Sequence, residues 1–78
     1  MELTIIGPGH KTVVSIAWLE VNTTIGNFVI QPGHAPTILI LDANKAITYC
    51  LASGKQESVT IPAGIVEITP IAATIVVQ

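Results

Sequence analysis

Turn-forming residues set the rhythm of this chain. Gly, Pro, Asn and Asp return about every 7 to 12 residues, and the stretches between them are dominated by Val, Ile and Thr. β-Branched side chains lose rotamer freedom in a helix and pack well on a pleated surface, so such stretches favour strands. No window carries a run of apolar residues at helical spacing. Short strands at this interval predict an all-β sandwich or barrel.

The strands can be placed. Glu2 to Ile6 forms the first, closed by Gly7-Pro8-Gly9, where a fixed proline φ and permissive glycines allow a tight turn. Thr12 to Val21 is a long extended segment in which Leu19 and Val21 share one face, and Trp18 and Glu20 the other. After the break at Asn22 to Asn27, Phe28 to Ile30 is a short strand stopped by Pro32 and Gly33. Thr37 to Leu41 is nearly all apolar, which predicts a strand either buried on both faces or covered by a partner. Asp42 to Lys45 is a turn. Ala46 to Leu51 and Glu57 to Ile61 form a hairpin, Ile65 to Thr69 follows Pro62-Ala63-Gly64, and Thr74 to Val77 ends the chain. The count is eight to ten short strands in one domain over residues 1–78.

Composition says how such a domain meets its surroundings. The 78 residues are 50% apolar and only 10% charged, against about 25% charged in an ordinary soluble domain. That is too apolar for disorder. A domain this small is marginal alone and usually draws on disulfides, a metal or association. Cys50 is the only cysteine, so no disulfide forms within the chain, and it reads as a core residue. The two histidines and Cys50 lie too far apart for a zinc spacing, so no metal or cofactor is expected. Association remains, and a charge-poor surface is what a covered interface looks like. Nucleic acid is excluded as a partner: the net charge is −2, there is no arginine, and Lys11, Lys45 and Lys55 are scattered. Apolar runs reach four residues (Ile38 to Leu41), far from the roughly 20 that span a bilayer. No basic start precedes an apolar core, so no signal peptide is expected.

Catalytic chemistry finds little to work with. Ser15, Ser53 and Ser58 lie in no nucleophile context, and Glu2, Glu20, Asp42, Glu57 and Glu67 follow no motif. A small β-domain enzyme would need His34 brought beside Glu20 or Glu67. His10 reads as a solvated turn residue. His34, in Gln-Pro-Gly-His-Ala-Pro, has three readings: a turn residue bonded to a nearby carbonyl, a plain surface histidine, or part of a rigid recognition turn. Pro32 and Pro36 restrict the backbone on both sides, and a pre-ordered loop loses less entropy on docking. Trp18 is either an interface anchor or a residue of a second buried face.

The stretch Thr23 to Pro36, TTIGNFVIQPGHAP, resembles the epsilon subunit of F-type ATP synthases, whose pattern here is T-E-G-E-x-G-I-x-P-G-H-A-P. Thr24, Gly26, Ile30, Pro32, Gly33, His34, Ala35 and Pro36 match it. LTIIGPG resembles the family's opening L-x-I-x-T-P-x-G, AGIVEIT its G-G-F-L-E-V segment with Gly64 and Glu67 in place, and ATIVV its closing strand. The similarity covers essentially the whole chain.

The resemblance implies a flattened two-sheet β-sandwich and a non-catalytic place in the central stalk, on the cytoplasmic face of the membrane. It implies docking on the gamma subunit through Pro32, Gly33, His34, Ala35, Pro36 and Thr37. It also implies an approach to the membrane rotor ring by Ile25, Gly26 and Asn27. The family's second domain, a C-terminal helical hairpin, and the inhibitory functions it carries are not expected here. Two departures stand out. Ile25 and Asn27 replace the two acids of E-G-E, weakening any attraction to basic ring loops. Val29 replaces a glycine, so the loop is expected to bend differently. The alternative is a stand-alone, self-associating module that reuses the fold outside the enzyme.

Overall fold

One bulged strand organises the architecture. In the computed structural model, which describes residues 1–78, β2 (His10–Thr23) is the longest element. Its pairing register shifts between Ile16 and Trp18. The extra residue, Ala17, changes which side chains point inward: Ile16 is buried before it, Leu19 and Val21 after it. A strict alternation cannot place Ile16 and Leu19 on one face; a bulge can, and it bends the strand. The first half of β2 pairs antiparallel with β1 (Glu2–Gly7). The second half pairs with β3 (Gly26–Ile30) and β5 (Lys45–Leu51).

Around this strand the chain builds two layers. β4 (Thr37–Ile40), β7 (Gly64–Ile68), β8 (Ala72–Val77), β1 and the start of β2 make the first sheet. β3, the end of β2, β5 and β6 (Gln56–Ile61) make the second. β8 and β1 are the one parallel pair. The whole measures 27 × 26 × 17 Å, a flat sandwich. All eight elements are strands, in agreement with the all-β expectation.

Fifteen buried residues from both sheets form the core, among them Leu3 and Ile5 of β1, Leu19 and Val21 of β2, Ile30 of β3, Ile47 of β5, Val66 and Ile68 of β7, and Ile75 of β8. Burying each large aliphatic side chain contributes roughly 1.5–3 kcal/mol. No buried side-chain nitrogen or oxygen lacks a hydrogen-bond partner. Gly64 marks the tightest approach: a Cβ there would overlap the Val76 carbonyl of the neighbouring strand.

β4 excludes one of the two readings of Thr37 to Leu41. It lies at the edge of the first sheet and pairs along its length only with β7. Leu39 and Leu41 point into the core, whereas Ile38 and Ile40 remain 64% and 60% exposed. The strand is therefore not buried on both faces. Val29 sits in an unbroken ladder opposite Glu20 without a positive φ.

Candidate docking surface

Two turns flank β4, one at each end. Before it, Gln31 to Pro36 wraps onto the β7–β8 turn. The Gly33 N–H donates to the Pro70 carbonyl over 2.7 Å, with Gly33 at φ +88°. That conformation favours glycine, and nothing lies within 4 Å of where its Cβ would be, so backbone shape rather than space selects the residue. His34 is half-buried, and its Nδ1 lies 2.7 Å from the Ala35 carbonyl. A carbonyl only accepts, so Nδ1 carries the proton and the ring is pinned to its own turn.

After β4, the chain meets the turn between β2 and β3. The Thr24 N–H donates to the Ile40 carbonyl over 3.1 Å, and Leu41 bridges Thr23. Thr23 holds this turn from inside: its hydroxyl donates to the Gly26 carbonyl at 2.8 Å and accepts the Ile25 N–H at 3.2 Å. Ile25 projects from the tip, 76% exposed. β4 thus connects the His34 turn to the Ile25 turn over about 10 Å of strand.

The outer face of the first sheet continues this surface. The register aligns Ile40 with Ile65, Ile65 with Val76, and Val76 with Ile6. Four apolar side chains therefore cross four strands in one row about 14 Å long. Ile38, Glu67, Thr74, Thr4 and Val13 form the adjacent row. Lys11 ends the first row, and Glu2 lies at the His34 end of the face.

The outer face of the second sheet is different. Glu20, Asn22 and Asn27 are linked there through the Asn27 amide, at 3.2 Å and 3.0 Å. The Thr48 and Ser58 hydroxyls pair at 3.0 Å. Trp18 is half-buried on this face, opposite Cys50. The structure therefore brings Pro32 to Thr37 and Ile25 to Gly26 to the two ends of one edge strand, turns the Asn27 side chain onto the polar face, and sets Trp18 on the opposite side of the sandwich.

Sequence reasoning missed Ile6, Ile65, Val76 and the 78%-exposed Ile71. Their apolar character was visible, but only the strand order shows which of them share an outer face. An open groove at the start of β4 is lined by Pro36, Thr37, Ile38, Glu67, Ile68 and Thr69. His34 does not line it, and the one ion pair of the fold is Lys55–Glu57, so neither histidine pairs with a carboxylate. No cluster of three or more His, Cys, Asp or Glu side chains could hold a metal. No helix is long and apolar enough to cross a membrane.

Fold and surface together define a charge-poor β-sandwich domain with one apolar and one polar outer face. The comparisons give its family. Residues 1–78 match the model of the ATP synthase delta/epsilon chain beta-sandwich domain, and the chain belongs to that family. Among solved structures it is similar to a chain of the Euglena gracilis mitochondrial ATP synthase, determined as an OSCP/F1/c-ring assembly, with 19% identity and a TM-score of 0.85. The match covers 96% of this chain and 48% of that one, so the present chain spans about half the length of that relative. At this identity the likeness establishes the fold. The comparison with curated proteins finds no match.

Proposed function

We propose that this chain is a non-catalytic central-stalk subunit of an F-type ATP synthase, helping to couple ion translocation to ATP synthesis or hydrolysis. The observation that carries the reading is the apolar outer surface running from the His34 turn along Ile38 and Ile40 to Ile25. Contiguous apolar surface of this kind marks a protein interface. Family membership supplies the complex in which it would be covered.

In this reading Pro32, Gly33, His34, Ala35, Pro36 and Thr37 dock on the gamma subunit together with the β4 face. Ile25, Gly26 and Asn27 approach the loops of the rotor ring, and Trp18 offers a contact on the far side. The subunit is peripheral, on the cytoplasmic face of the membrane, and residues 1–78 act as one domain without cofactor or metal. The exchange of both family acids for Ile25 and Asn27 favours a second reading, a self-associating module outside the enzyme.

A tagged pull-down from native membranes with mass spectrometry separates the two. Recovery of gamma, ring and catalytic-head subunits is the expected result. Recovery of the protein alone, or only of further copies of itself, would overturn the stalk assignment.

A further inference from the structure

Glu67 stands out on the apolar face. It is exposed on β7, with Ile38 and Thr74 directly across from it on the flanking strands, Ile65 two residues away on the same face of its own strand, and Thr69 just past the strand's end. None of these neighbours is charged. The chain's one ion pair joins Lys55 to Glu57 on the other sheet, and the one carboxylate that accepts a side-chain hydrogen bond is that of Glu20, so the Glu67 carboxylate has no partner within the fold. Other charges on this face are distant. Glu2 lies two strands away, and Lys11 three strands away at the far edge and one row over, about 16 Å off. Glu67 also lines the groove formed with Pro36, Thr37, Ile38, Ile68 and Thr69, immediately beside the His34 turn.

We infer that this groove receives a lysine or arginine side chain from the docking partner, its aliphatic stem against Pro36 and Ile38 and its cationic head on the Glu67 carboxylate. The inference rests on the proposed docking role of this face and adds the chemistry of what is docked. Charge complementarity argues for it. A carboxylate covered by a purely apolar partner would lose its water without compensation, which is costly. A long basic side chain fits both parts of the groove, because Lys and Arg lay their methylenes on apolar surface while their charge finds a polar partner. A charged hydrogen bond of this kind, set in an otherwise apolar contact, fixes register and selects against partners lacking the cation.

The test is reconstitution of the purified protein with the purified gamma subunit, with the dissociation constant followed across a salt series. Glu67→Gln keeps the shape and removes the charge. It is expected to weaken binding about tenfold and to flatten the salt dependence, with Glu67→Lys weaker still. Ile38→Asp is the companion variant, and circular dichroism confirms that each is folded. Loss of binding in Ile38→Asp with Glu67→Gln unchanged would overturn the basic-side-chain inference and leave the docking face standing. Unchanged binding in both would overturn the docking face itself. A two-fold dimer of this chain that is abolished by Lys11→Gln would also overturn the inference, since the cation would then come from a second copy.

Discussion

The backbone N–H of Gly33 reaches the carbonyl of Pro70 across 2.7 Å. This single hydrogen bond ties the turn that precedes the edge strand to the turn between the last two strands. It holds the His34 turn against the sandwich. The geometry requires φ +88° at Gly33, which an L side chain resists.

Gly33→Ala therefore tests the turn with little change in volume. Because its Cβ would meet no atom within 4 Å, the cost is conformational, about 1–2 kcal/mol. Thermal unfolding should show a melting temperature lower by several degrees. Gly33→Asn should lose less, since asparagine tolerates positive φ. Equal losses in both variants would point to a steric cause instead.

Gly64 sits at a different kind of limit. Its Cβ would overlap the Val76 carbonyl, and its own carbonyl accepts the Leu41 N–H at 3.0 Å. Gly64→Ala must push β7 away from β8 or β4, at a cost of about 3 kcal/mol. Urea denaturation of the purified variant measures it, and a loss under 1 kcal/mol would show that the strands yield easily.

Buried and exposed isoleucines should separate cleanly. Ile30 is fully buried, and Ile30→Ala should cost about 2–5 kcal/mol. Ile40→Ser, on the open face, should change the isolated domain by no more than about 0.5 kcal/mol. The same Ile40→Ser should weaken assembly into the ATP synthase complex. If it assembles as the parent does, the apolar row is not the docking face.

Thr23 is the one buried polar residue. Its hydroxyl serves two backbone groups of the Ile25 turn, and valine has its shape without the hydroxyl. Thr23→Val should destabilise by about 1–3 kcal/mol, since the Ile25 N–H and the Gly26 carbonyl lose their partner. Amide hydrogen exchange at Ile25 should accelerate; unchanged protection would show that the turn is held by β4 alone.

Much of this molecule is legible in its sequence because local chemistry determines it. Pro and Gly punctuate the strands where the turns fall, and the β-branched runs between them are the strands. The rigid turn at His34 also stands out, since two prolines enclose it. Long-range geometry is what a single chain does not announce. The bulge at Ala17 has no residue signature, yet it decides that Ile16 and Leu19 share the core. The position of β4 at a sheet edge follows from its pairing with β7, nearly 30 residues later in the chain. For the same reason the row formed by Ile40, Ile65, Val76 and Ile6 appears only when four separate strands are brought together.

The bend in β2 has a mechanical consequence. Two sheets held only by side chains can slide over one another, because dispersion contacts resist shear weakly. Here one polypeptide strand passes from the first layer into the second, and at another corner the Thr24 and Asp42 N–H groups bond to Ile40 and Asn22. Slippage between layers would have to stretch covalent bonds or tear that stitched seam. A load applied to one face of the block reaches the other with little internal give.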